Sequence, residues 1–232
     1  MLLTSSALAQ DVTVTGRIEL NRNGKGALRD QSDSVAWLTP ISSTSSSLPA
    51  NDPPANWPDK PPLQLVQKNK SFEPHVLVVP VGAAVRFPNR DPWFHNVFSL
   101  FDGKRFDLGL YEAGESRIVH FDRVGISYIF CNIHPQMSAV VIALQTPYYA
   151  KSDRNGRFTI AHVPPAQYKL QVWSEHALPE AMQSEARTVT VTESSHSLGE
   201  ISMQAGPEAP LPHKNKYGRD YDRQASPDPA YR

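Results

Sequence analysis

Four side chains in this sequence are suited to holding a metal. Cys131, His134 and Met137 lie in one seven-residue stretch, Cys-Asn-Ile-His-Pro-Gln-Met, and His95 lies 36 residues before the cysteine. One thiolate, two imidazoles and one thioether form the donor set of a blue-copper electron-transfer centre. The in-plane His2Cys donors serve both copper oxidation states, and a distant axial sulfur adjusts their relative stability. Zinc also takes Cys and His, but a structural zinc site wants four strong N or S donors, and Met is a poor fourth. Taken singly, a cysteine is a small buried hydrophobe, a histidine a satisfied polar residue and a methionine packing material. Those bland readings leave the spacing and the strand context unexplained.

The elements that must position these donors are short strands. Ser127 to Phe130 is a β-branched and aromatic run that predicts a strand with Cys131 at its end. Pro135 forces a turn, and Ala139 to Leu144 predicts the next strand, so a short loop delivers Cys, His and Met to one point, while His95 comes from elsewhere in the fold. Further strands are expected around 64–68, 75–81, 84–88, 95–99 and 116–122, at the close spacing of a sandwich. His75 and His120 lack any partner spacing and are assigned to strand surface or core.

Cys131-x-x-His134-x-x-Met137, the earlier His95-Asn96-Val97 and Phe72-Glu-Pro74 at the start of the region resemble the cupredoxins, the type 1 copper family of plastocyanin, pseudoazurin and amicyanin. The short ligand loop is most similar to that of amicyanin. The resemblance covers about residues 63 to 147. It implies a Greek-key β-sandwich, one copper bound by His95, Cys131, His134 and Met137, and one-electron transfer with protein partners. It further implies that Asn96 steadies the site through a hydrogen bond toward the cysteine sulfur.

A second pattern occupies both ends of the chain. Val12-Thr-Val14-Thr-Gly16 and Val35-Ala-Trp-Leu38 read as strands. Asp153-Arg-Asn155-Gly156 reads as a turn entering Phe158-Thr-Ile160, followed by a Pro-containing loop, Tyr168-Lys-Leu-Gln-Val-Trp173, Thr188 to Thr192 and Leu198 to Met203. The Asp-x-Asn-Gly segment lacks the other acidic positions of a calcium loop, and a hairpin turn is the better reading. These motifs resemble the carboxypeptidase-regulatory-like, transthyretin-like β-sandwich, which implies a scaffold or binding module. The expected architecture is therefore all-β: a cupredoxin domain at 63–147 inserted into a second, smaller Ig/transthyretin-like sandwich made of 11–40 plus 148–204. A Pro/Ser-rich linker is expected at 41–62 and a disordered tail at 205–232, which has five prolines and many charges.

At 232 residues, the chain is long enough for two domains of ordinary size. Its 21 prolines argue for strands and loops over long helices. With 23 basic and 23 acidic residues the net charge is zero, which gives no ground for a nucleic-acid partner. A single cysteine excludes an internal disulfide. Ser5-Ser-Ala-Leu-Ala9-Gln10 resembles the end of a secretory signal peptide cleaved after Ala7-x-Ala9, so residues 1–10 are read as its remnant, with the start codon assigned too late. No apolar run is long enough to span a membrane. The sequence thus leads to the expectation of a monomeric, periplasmic, non-enzymatic electron carrier exchanging electrons with redox proteins. Copper delivery and a non-redox interaction module are the alternatives.

Overall fold

A computed structural model describes residues 10–22, 26–41, 57–58, 63–100, 103–194, 196–206 and 213–221. The signal-peptide remnant and the Pro/Ser-rich linker fall almost entirely outside these residues. The strands run β1 (Val12–Arg22), β2 (Gly26–Ala27), β3 (Val35–Pro40), β4 (Val66–Lys68), β5 (Ser71–Glu73), β6 (Val76–Pro80), β7 (Ala84–Pro88), β8 (His95–Ser99) and β9 (Phe106–Tyr111). They continue with β10 (Ser116–His120), β11 (Gly125–Cys131), β12 (Ser138–Leu144), β13 (Tyr149–Lys151), β14 (Arg157–Val163), β15 (Ala166–Trp173), β16 (Arg187–Val191) and β17 (Ser197–Gln204). The six-residue α1 (Pro179–Ser184) is the one α-helix among the described residues. The chain is all-β and forms two compact units, one from residues 1–46 and 148–208, the other from 47–147 and 209–232.

The central unit holds a five-stranded sheet in the order β6-β12-β11-β8-β9, with β7 paired to β10 and β4 to β5. Strands β11 and β12 form a hairpin in which Phe130 stands opposite Ser138, so the ligand loop is the hairpin's connection. Strand β8 pairs antiparallel with β11, placing Val97 opposite Cys131. Alternation then fixes which side chains point inward. Leu77, Val79, Val97, Ile129, Cys131, Ala139 and Val141 share one buried cluster with Val85, Phe87 and Val119 of the β7–β10 pair, which closes the sandwich.

Strand β9 escapes the sequence pattern because Asp107 and Gly109 are poor strand formers and its exposed positions do not alternate cleanly. It pairs with β8, His95 opposite Tyr111 and Asn96 opposite Leu110, and packs Phe106, Leu108 and Tyr111 against the core.

The terminal unit is a second sandwich. One sheet has the order β14-β1-β17, with β2 beside β1, and the other has the order β13-β3-β15-β16. Val14, Ile18 and Leu20 of β1 meet Leu38 of β3 and Leu170 and Val172 of β15 in its core. Gly16 stands opposite Phe158, and a Cβ at Gly16 would run into the Phe158 ring. Gly156 has φ +77° in the turn before β14, where a Cβ would collide with the Ile18 carbonyl. The Asp153 carboxylate accepts the N–H groups of Asn155 at 2.9 Å and Arg157 at 2.8 Å, so it is used by its own turn.

Part of the expected tail is described. Residues 213–221 form a strap that packs on the central unit. There His213, Lys216 and Tyr221 find hydrogen-bond partners in that unit.

Candidate metal centre

Three donor atoms converge at the end of the β11–β12 hairpin. Cys131 Sγ lies 3.6 Å from Nδ1 of both His95 and His134, and the two Nδ1 atoms are 3.2 Å apart. Together they form the one group of three or more His, Cys or acidic side chains within metal-binding reach among the described residues. His95 and Cys131 are fully buried, and His134, at 8%, is the most exposed of the three. His95 enters from the start of β8, the other two from the hairpin. The loop is closed by its own backbone: Met137 N–H donates to His134 O at 2.9 Å and Cys131 N–H to Met137 O at 3.2 Å. This folds Met137 back, 1% exposed, into the core cluster that contains Cys131.

The protonation of these groups follows from their surroundings. His95 Nε2 lies 3.0 Å from the Asp91 carboxylate, which can only accept, so Nε2 carries the proton and Nδ1 turns a lone pair toward Cys131. Burial lowers the pKa of His95, with Asp91 acting against it. Burial, followed by the neighbouring His95, lowers His134 to about 4, so its ring is neutral at pH 7. Burial pushes the Cys131 thiol up, while hydrogen bonds from the backbone at Asn96, Ile133 and His134 favour the thiolate. Two neutral imidazoles and a sulfur thus face one another in a buried space, and a soft cation taking the place of the thiol proton satisfies all three. The donor set fits copper, two imidazoles and a thiolate, with Met137 buried in the same core cluster as the cysteine.

Asp91 is the site residue that motif reading misses. Its signal lay in Asn89-Arg-Asp91, four residues ahead of the histidine: Asn89 Oδ1 accepts Asp91 N–H at 3.0 Å and Asn89 Nδ2 donates to Trp93 O at 2.8 Å, forming the turn that aims the carboxylate. Burial raises Asp91, but hydrogen bonds from the N–H groups of Lys70 and Asn69 and from His95 outweigh it and keep it ionised. Asn96 acts through its backbone. Its side-chain amide donates to Asp107 at 2.7 Å and Gly109 O at 3.0 Å, and its main chain serves the sulfur and accepts Asn132 N–H at 2.9 Å. His75 bonds Ser138 O at 3.2 Å, and His120 is exposed on β10. Around the donors, Phe94 and Ile133 are exposed at 38% and 39%, and Pro135 is also exposed. Trp93 is half-buried beneath the Lys70 ammonium, 4.9 Å from the ring centre.

Comparison with known structures returns cupredoxins. A purple cupredoxin from Nitrosopumilus maritimus is similar at 23% identity and TM-score 0.33, covering 35% of this chain and 99% of that one. The Cu-containing nitrite reductase NirK from Thermus scotoductus SA-01 is similar at 22% identity and TM-score 0.35, over 47% of this chain and 26% of that one. A single-substitution mutant of amicyanin, in its reduced Cu(I) form at pH 4, is similar at 18% identity and TM-score 0.34, over 47% of this chain and 98% of that one. The family profile fn3_3, described as polysaccharide lyase family 4, domain II, matches residues 133–197, from the ligand loop to the first residue of β17. No curated protein sequence matches the chain.

Proposed function

We propose that the central unit is a type 1 copper protein that carries single electrons between periplasmic redox partners and is not an enzyme. The observation that supports it is the convergence of Cys131, His95 and His134 as buried donors on the ends of paired strands. Copper bound there by these three and Met137 would gain and lose one electron. The rest is done by the chain. Asp91 holds the His95 ring, backbone N–H groups face the sulfur, and strand pairing keeps the donors fixed so that little rearrangement accompanies a change of charge. Fixed ligands between core strands favour electron carriage over copper delivery, which is served better by mobile ligands. His134 is the exit, with Phe94, Ile133 and Pro135 as an apolar rim suited to short-lived docking. The terminal sandwich is read as a carboxypeptidase-regulatory-like scaffold.

The test is electron self-exchange of the copper-loaded chain, followed by NMR line broadening, beside Pro135→Glu. The reading expects fast exchange in the parent, slowed by the rim charge while the visible spectrum stays the same. A copper-loaded protein that cannot be cycled between oxidation states would overturn it.

A further inference from the structure

The strap at 213–221 touches the ligand hairpin at four points. The His213 ring stacks on Phe130 with centroids 4.0 Å apart and planes 20° apart, and its Nε2 donates to Pro135 O at 2.7 Å. The Tyr221 hydroxyl donates to the carbonyl of Cys131 at 3.1 Å and lies 3.3 Å from His213 Nδ1. Lys216 N–H donates to Asn132 Oδ1 at 2.9 Å. The two strap rings therefore bridge the carbonyls at the two ends of the segment from Cys131 to Pro135, while the backbone between them holds Asn132.

A fifth contact reaches the segment that carries the remaining donor. Lys216 Nζ bonds one oxygen of Asp107 at 2.8 Å, and the other oxygen accepts the Asn96 side chain, next to His95. The strap is also shaped for this by its own sequence. Asn215 Oδ1 accepts the N–H groups of Tyr217 at 3.0 Å and Arg219 at 3.1 Å, its N–H donates to Arg219 O at 2.9 Å, and Gly218 takes φ +75°. That turn brings His213 and Tyr221 side by side, with centroids 5.3 Å apart.

We infer that residues 213–221 are a third segment of the metal centre, in which Tyr221, His213 and Lys216 are positioning residues that lock the Cys131–Pro135 loop and couple it to the His95 strand. The inference rests on the copper reading for its consequence, though not for its geometry. A locked loop holds the thiolate in place whichever oxidation state is present, and it shields the sulfur from water. Outer groups that orient a ligand typically matter about 10–100-fold in metal affinity.

The experiment compares the parent chain, a chain ending at Gly206, and Tyr221→Phe, which removes only the hydroxyl. The first readout needs no metal: the rate at which iodoacetamide alkylates Cys131 in the metal-free protein. We expect it to rise about tenfold or more without the strap, which removes several hydrogen bonds at once, and about fivefold for the loss of one hydrogen bond in Tyr221→Phe. The second readout is transfer of copper to a chelator, faster in the same order, with the reduction potential falling as water reaches the sulfur. Far-UV circular dichroism checks that each variant is folded; were the shortened chain unfolded, Tyr221→Phe alone decides. Unchanged alkylation and copper release in a folded variant overturn the inference. If no copper binds to the parent, the copper reading falls, and the alkylation rates still decide the strap.

Discussion

The two sandwiches bury polar side chains to different ends. In the terminal unit, Gln31 accepts Leu20 N–H at 2.7 Å, and Ser152 Oγ accepts Ser34 N–H at 3.1 Å. Each of these bonds satisfies a backbone group that would otherwise be orphaned, which is the ordinary reason for a buried polar residue. In the central unit, Cys131 Sγ and the Nδ1 atoms of His95 and His134, all of them metal-donor atoms, instead face one another at 3.2–3.6 Å. The difference separates residues that hold a fold together from residues that the fold holds for another purpose. It also says where substitutions should separate stability from metal binding.

The largest separation is expected from Cys131→Ser. A hydroxyl is a hard donor without sulfur charge transfer, so the intense visible band should vanish while the melting of both units stays close to the parent. Asp91→Ala comes next. Freed of its carboxylate, the His95 ring loses its fixed tautomer, and copper affinity should fall about 10–100-fold in a competition titration. Part of this change would also appear as lost stability, because the N–H groups of Asn69 and Lys70 lose their acceptor. Gly16→Ala is the reverse case. The new methyl must displace the Phe158 ring, costing about 1–3 kcal/mol of the terminal unit's stability in urea melts, with copper affinity unchanged. The smallest effect is that of Met137→Gln, which should keep the copper and lower its reduction potential by voltammetry, because an oxygen donor favours Cu(II) over a thioether.

Much of this was legible in the sequence because it depends on local pattern. Val12–Leu20 is legible from period-two burial and Ser138–Leu144 from an unbroken apolar run buried on both faces, and a hairpin end brings the Cys-x-x-His-x-x-Met residues of the loop together. What stayed hidden depends on long-range pairing. Strand β9 exists because β8 offers it an edge, against the preference of Asp107 and Gly109. The role of Asp91 needs the turn that Asn89 builds, and the Asn96 contribution to the sulfur comes from a backbone N–H that any residue carries. The strap was the furthest from sight. His213 and Tyr221 lie 82 and 90 residues beyond Cys131 in a stretch whose composition resembles solvent-exposed chain, and their partners are mostly carbonyl oxygens with no side-chain signature.

The most direct test of the account is a titration of the purified metal-free chain with Cu(II), followed through the visible spectrum. The account predicts an intense thiolate-to-copper band that saturates at one equivalent, bleaches with ascorbate, returns on reoxidation and is absent from Cys131→Ser. Copper uptake without that band, or a band that survives Cys131→Ser, would contradict it.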